Sequence, residues 1–522
     1  GGAVNLVTPN GKTAQSPNLV RPEGGSFDTY RGQVALARQV GQWDFYGSFS
    51  AARSDGYRVN SGLEQYRGTL NIGYSFGGDN EVRLIAYAAD INQDVPGTLS
   101  LANALTTPRA AGAGVVANKW ARDQDIQRVT LQTRLHLTDS LLFEGGVYTT
   151  WTDLHHPIPI VIDQKIDTQG AFGRFSWDGE LAGHKADMFF GAYYRQGGNK
   201  QGLFVNMGGV NGFQFGKASL DASALDVFAE GRFWATDNFA LVAGGSYGHA
   251  SRDYRDLLSS ANDRSKSFDW FSPRLGLLWQ NSEGLQVYAN VTRSVEPPHY
   301  GALVQGGVPG FVPVSAQKAW TAELGTRGKA GAVTWDFTFY RSWLKGELLS
   351  FNGTTGFPAF FFNAGKTVHQ GIEASLDWRI IDDPNAGLLR LRQTYAWSDF
   401  TFDNDPVYGN GRLPVAPEHQ YRASLRYEHP SGAYIEPALD WRMKSVWVDY
   451  ANTLKAPGYA LLNFELGWKL SNGLTLFADL RNLTDKRYAA EFAALTDARI
   501  DATDVFYPGE GRSSFVGATF RF

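Results

Sequence analysis

His155 and His156 stand side by side, and imidazoles are common zinc ligands. Adjacent residues on a strand point to opposite faces, however, and no third ligand lies nearby in sequence, so a surface or interfacial role is expected and not a metal site. Asp403, Asn404 and Asp405 offer hard oxygen ligands for calcium but lack the remaining ligand spacing, and read as a solvated loop tip. Met207 to Gly216 (MGGVNGFQFG) is glycine-rich, yet it precedes a strand and no helix follows to supply a dipole, so it reads as a flexible external loop and not a phosphate cradle. There is no cysteine, which removes thiolate chemistry, and a barrel-embedded hydrolase would further need a Ser, a His and a carboxylate or amide converging on one wall. Enzyme activity, a resident metal and a cofactor are therefore not expected. What remains is recognition chemistry. Arg109, Trp120 and Arg122 share one long irregular connection, Tyr300 and Phe311 a second, and Phe357 and Phe360 a third. Arginines give charge-assisted hydrogen bonds to anions, and aromatic rings give large contact area at low entropic cost. Each of these aromatics equally fits an interfacial girdle or loop-to-loop packing.

The elements that would carry such loops alternate apolar and polar residues with period 2, the mark of strands with two unlike faces. Leu462, Phe464, Leu466, Trp468 and Leu470 share one face, opposed by Asn463, Glu465, Gly467 and Lys469. Tyr421, Ala423, Leu425 and Tyr427 alternate with Arg422, Ser424, Arg426 and Glu428, and Ile372, Ala374, Leu376, Trp378 and Ile380 oppose Glu373, Ser375, Asp377 and Arg379. The same holds for Val129, Leu131, Leu135 and Leu137 against Arg128, Thr130, Gln132, Arg134 and His136. Tight turns at Gly41, Gly77 to Asn80, Thr138 to Ser140, Asp237, Ser282 to Gly284, Pro430 to Gly432 and Ser471 to Gly473 alternate with long connections near Gln93 to Asp123, Gly202 to Ala218, Pro297 to Ser315, Asp403 to Glu418 and Phe492 to Gly511. Short turns on one rim and long loops on the other predict an all-β fold, a transmembrane antiparallel β-barrel of about 22 strands with short periplasmic turns and long extracellular loops.

Composition agrees. Fifty-nine glycines and 15 Trp, 23 Tyr and 34 Phe in 522 residues, at a mean hydropathy of -0.29, suit a wall that is apolar on one face only. A net charge of -4, with Lys and Arg scattered, gives no electrostatic reason for nucleic-acid binding. No run of apolar residues is long enough for a spanning helix, and Gly1 to Gly11 has no signal-peptide pattern.

Three segments resemble the TonB-dependent outer-membrane receptor family, and a fourth the closing strand of outer-membrane barrels in general. Gly1 to Thr8 (GGAVNLVT) resembles the end of the family's N-terminal plug domain, and Tyr288 to Pro298 (YANVTRSVEPP) an interior strand entering a loop. Phe477 to Tyr488 (FADLRNLTDKRY), with Asn482, Leu483, Asp485 and Tyr488, resembles the family's penultimate strand, while Ser513 to Phe522 resembles the closing strand of outer-membrane barrels in general. The resemblance implies a remnant of the plug over residues 1-12 and the barrel over 13-522. A globular plug of about 150 residues and an energy-coupling box are absent from this stretch, so a longer natural protein is expected. It further implies a receptor in the bacterial outer membrane, taking up a scarce nutrient such as an iron-siderophore or ferric-citrate-like chelate. Its partners would be outer-membrane lipid, the nutrient and the TonB energy-coupling complex, the last through the plug. A passive channel or structural barrel is the alternative.

Overall fold

The computed structural model describes residues 7–14, 18–305, 309–352 and 360–522. Twenty-two strands form one sheet in which each pairs antiparallel with its chain neighbour. The sheet closes because strand Asn18–Gly25 pairs with the last strand, Ser513–Arg521, placing Leu19 opposite Arg521 and Gly25 opposite Phe515. At that seam a Cβ on Gly25 would lie 2.3 Å from the Ser514 carbonyl oxygen, so a side chain there would push the closing strands apart.

The two faces of the wall differ as the alternation requires. Leu466, Trp468, Ile435, Leu324 and Val516 point outward and are exposed. The inner face holds ion pairs: Arg426 to Glu428 at 2.6 Å and to Glu436 at 2.8 Å, Arg274 to Glu230 at 3.0 Å, Arg232 to Asp187 at 2.9 Å. So large an exposed apolar surface is unfavourable in water but suits contact with hydrocarbon, while the hydrated lumen accepts charge. Outward aromatics bound the apolar band, with Trp43 against Tyr74 and Phe520 against Phe522 near the short-turn rim.

One expected loop is not a loop. Gly202 to Ala218 belongs to a hairpin of strands His184–Asn206 and Asn211–Trp234, and only residues 207–210 turn. Gly208 and Gly209, at φ 72° and 92°, serve that turn, which is why a glycine-rich stretch imitated a flexible connection. Strands of 22 to 24 residues here exceed the 9–11 or so that cross a bilayer, so this part of the sheet continues above the apolar band. The Phe492 to Gly511 stretch is likewise partly ordered, Ala489–Phe492 pairing with Phe506–Pro508.

Placing Arg at Leu466, near mid-strand on the outward face, is expected to cost about 2–4 kcal/mol of folding stability in lipid vesicles, and Arg at Glu465 far less. Equal penalties in denaturant titrations would reverse the facing assignment.

Candidate functional site

At the long-loop end the connections pack into an ordered cap. Leu99 and Ala104 from 94–122, Val446, Val448 and Ala456 from 443–458, and Leu495 and Phe506 from 482–512 form one buried apolar cluster. Two charged side chains brace it. Arg58 is buried and donates to the carbonyl oxygens of Gly97 (2.8 Å), Ala110 (2.8 Å) and Pro96 (3.2 Å), and that burial holds its pKa below the usual arginine value. Asp449 is 0 % exposed and accepts the backbone N–H groups of Thr453 (2.8 Å), Leu454 (2.9 Å) and Ala498 (3.2 Å).

Against this scaffold, Arg109 keeps its side chain exposed, with its guanidinium carbon 5.5 Å from the Tyr57 ring centroid. Arg487 is exposed beside it and anchored by one bond from its guanidinium to the Thr106 carbonyl at 2.9 Å. Burial pushes the Tyr57 hydroxyl pKa up and the carboxylates of Asp485 and Glu510 add to the shift, while Arg109 and Arg487 oppose it. The same corner runs into the lumen. Asn482 starts the turn at φ 46°, donating to the carbonyls of Lys486 (2.9 Å) and Glu510 (3.0 Å), and Asp485 accepts the Arg512 N–H at 2.9 Å. That brace sets Tyr488 on Tyr459, ring centroids 4.4 Å apart, and Tyr488 lies so close to Gly509 that a Cβ there would fall 1.9 Å from its ring carbon. Below, a recess of about 740 Å³ is lined by Tyr488, Glu510, Asp440, Arg422, Arg392 and Asp479, and adjoins a second of about 830 Å³.

The residues singled out from sequence are placed as follows. Arg109 joins the cluster with Tyr57 and Arg487, two residues that sequence reasoning passed over. Arg122 is exposed where the same loop re-enters its strand, its backbone N–H on the Gln93 carbonyl at 2.7 Å, apart from that cluster. Trp120 is half-buried against Gly97, and its carbonyl accepts from Val95 and Asn60. Tyr300, on the short helix Tyr300–Leu303, is committed to the fold: its hydroxyl accepts the Asp253 N–H at 2.9 Å and donates to strand carbonyls, and burial pushes its pKa up to about 12. Phe311 packs beside it, 6.4 Å away. Phe360 stacks on Phe351 at 5.7 Å, and Phe357 lies outside the described residues. His155 bonds Asp163 at 2.7 Å while His156 bonds the Ala121 carbonyl at 2.6 Å, and among the described residues no three candidate ligands converge as a metal site. Asp405 caps its own turn, accepting the Val407 and Tyr408 N–H groups.

Residues 9–483 match the family model described as TonB dependent receptor-like, beta-barrel, and the chain belongs to that family. It is 23% identical over 526 residues to the pesticin receptor of Yersinia enterocolitica, covering 94% of this chain and 74% of that protein. Over half of the chain it is 26% identical to the ferrioxamine B receptor of Salmonella typhimurium, covering 36% of that protein. Among solved structures, the ferric yersiniabactin uptake receptor of Yersinia pestis shares the fold at a TM-score of 0.80 and 19% identity, covering 97% of this chain and 80% of that one. The ferric-catecholate import receptor of E. coli K12 does so at 0.79 and 16%, covering 97% and 82%. The family is one of outer-membrane receptors and transporters, not enzymes.

Replacing Arg58 by Ala leaves three loop carbonyls without their charged donor. The loss is expected to lower local protection of the 94–122 loop by about 2 kcal/mol or more, with the barrel intact. Hydrogen exchange of that loop beside heat-modifiable gel mobility checks this, and unchanged exchange would mean that the brace is redundant.

Proposed function

We propose that this chain is the barrel of an outer-membrane receptor for energy-coupled uptake of an anionic metal chelate, of the iron-siderophore or ferric-citrate kind. The observation that carries the reading is the pair of exposed guanidiniums at one corner of the loop cap, Arg109 near the Tyr57 ring and Arg487 on the Thr106 carbonyl of the same loop. They sit on a loop cap braced from beneath, so their geometry is set before a ligand arrives, which reduces the ordering cost of binding. An anion there would be met by two planar donor forks and a phenol ring, with the polar recess below it. A relative named for ferrioxamine B, an iron chelate, supports a metal chelate as the ligand.

Residues 1-12 are proposed as the end of a lumen-filling plug, with 13-522 as the barrel, and that plug would pass on energy from the TonB complex. In support, the segment Pro9–Ala14 runs along the inner wall near the short-turn rim. The Gly11 N–H meets Asp44 at 3.0 Å, the Pro9 carbonyl accepts from Asn71 at 2.9 Å, and Arg83 locks Asp44 and Asn71 together at 2.9 and 3.0 Å. In a planar bilayer the 522-residue chain alone is expected to conduct as a wide pore, and a version carrying a plug far less. Equal conductance of the two would count against a plug.

The binding prediction separates the two arginines of the longest loop. Arg109→Ala with Arg487→Ala is expected to weaken uptake of an anionic ferric chelate about 10- to 100-fold, since hydrogen bonds to charged groups are worth about 1.5–3 kcal/mol each before compensation. Arg122→Ala should change it little. Radiolabelled uptake, with heat-modifiable mobility as the assembly control, decides; normal uptake in the double variant would move the site elsewhere.

A further inference from the structure

Outside the mouth, the outer wall carries a charge arrangement that the receptor reading does not use. Lys318 of strand Gln317–Ala330 stands directly opposite Lys345 of Val333–Lys345, which stands directly opposite Lys366 of Lys366–Asp383. All three are exposed and share the outward face with Trp320 and Trp343, which pair with each other one step nearer the apolar band and are 47% exposed apiece. Arg293 lies opposite Trp320, and Arg341 keeps its guanidinium carbon 5.5 Å from the Trp343 ring centroid. Five cations and two indoles therefore form one patch.

None of the five forms an ion pair with a described carboxylate. Arg293 donates to the Phe271 carbonyl at 2.8 Å and Arg341 to the Gln370 amide oxygen at 3.1 Å, both neutral. Asp403 faces Lys366 in register, its N–H bonding the Lys366 carbonyl at 3.0 Å, but its carboxylate accepts the Asn404 side-chain amide at 2.9 Å and forms no ion pair with that lysine; Asp399, opposite Gln370, is taken by Gln370 at 2.9 Å and Arg412 at 3.0 Å. The stretches 306–308 and 353–359 in the neighbouring loops contain no Asp or Glu. Adjacent strands lie about 4.8 Å apart, and like charges placed directly opposite destabilise a sheet. Arg426, Arg390 and Arg274 on the inner wall are matched by carboxylates, whereas these lysines face one another across adjacent strands. Two residues along a tilted strand climb about 5 Å, which sets the lysines just above the indoles, at the depth where lipid headgroups begin.

We propose that Lys318, Lys345 and Lys366, with Arg293 and Arg341, bind the phosphate of a membrane-lipid headgroup in the leaflet on the long-loop side, with Trp320 and Trp343 packed along the lipid's apolar part. The proposal rests on the barrel spanning a bilayer, and not on which chelate the receptor takes. The lysines spread over three strands match a headgroup lying along the wall, and the missing counter-charge is supplied by the phosphate.

Natural-length protein in a neutral maltoside detergent is titrated in separate arms with a short-chain phosphatidic acid and the phosphatidylcholine of the same chains, and retained lipid is counted by native mass spectrometry. Each basic residue near an anionic surface strengthens binding roughly fivefold, so Lys318→Gln with Lys345→Gln and Lys366→Gln is expected to weaken phosphatidic acid retention roughly a hundredfold. Lys345→Gln alone should weaken it about fivefold, and decides the matter if the triple variant fails to assemble. Replacing all three by Arg should preserve retention. Equal retention of the two lipids, unchanged retention in the glutamine variants, or displacement of phosphatidic acid by an equal concentration of inorganic phosphate would overturn the proposal. Ferric chelate binding on the same preparations should be unaffected by these variants; its absence in the unmodified protein would fail the receptor reading while leaving the lipid result standing.

Discussion

In hydrocarbon there is no water to satisfy a backbone N–H or C=O, so a sheet that crosses a bilayer must pair every strand on both sides. That requirement joins the two ends of this chain, Asn18–Gly25 to Ser513–Arg521, and the rest of the architecture depends on it. Closure fixes which face is inside. Arg426 with its carboxylates then meets water in the lumen, where charge is cheap, and Leu466 meets lipid. The inner ion pairs contribute little stability individually in so hydrated a setting, and their effect is to keep the wall close to electrically balanced.

Above the apolar band the constraint relaxes, and the loops build a core of their own. The contrast among their arginines separates scaffold from site. Arg58 is buried with its donors spent on backbone carbonyls, so it can hold loops together but offers nothing to a ligand. Arg109 touches only a tyrosine face, and Arg487 spends one donor on Thr106, leaving most of each guanidinium free at the mouth. Tyr300 belongs with Arg58 by the same test, because its hydroxyl is consumed by two strands and its pKa is raised by the burial that accompanies this.

The strand faces were legible because period 2 is a local property: the partition of Leu462 to Leu470 from Asn463 to Lys469 holds in the folded barrel as it reads in the chain. Gly202 to Ala218 was misread because a hairpin tip above the membrane is freed from the apolar alternation that marks a strand, and its two turn glycines imitate a loop. The mouth was legible only in part. Arg109 could be found from loop length and residue type, but its partners Tyr57 and Arg487 are far away in sequence and become neighbours only through tertiary packing. Tyr300 and Trp120 could not be told from ligand contacts, since an aromatic that braces a loop and one that greets a ligand have the same local sequence. The Asn482 to Tyr488 segment was visible by resemblance, and its physical content, a left-handed Asn bracing two loops under Tyr488, emerges only from the hydrogen bonds.

Register also explains how one wall can serve two kinds of contact at the same end. Lys318, Lys345 and Lys366 are distant in sequence and none is conspicuous alone, yet antiparallel pairing brings them into one row. Along each of those strands a one-residue step changes the face, so the outer row is separated from the lumen by the thickness of the sheet itself. The mouth cluster reaches the lumen through Tyr488 and Glu510, whereas the lysine row faces away from it. A phosphate held outside and an anionic chelate held at the mouth would therefore meet different cations. The same alternation that turns an apolar face to lipid would keep two such ligands from competing.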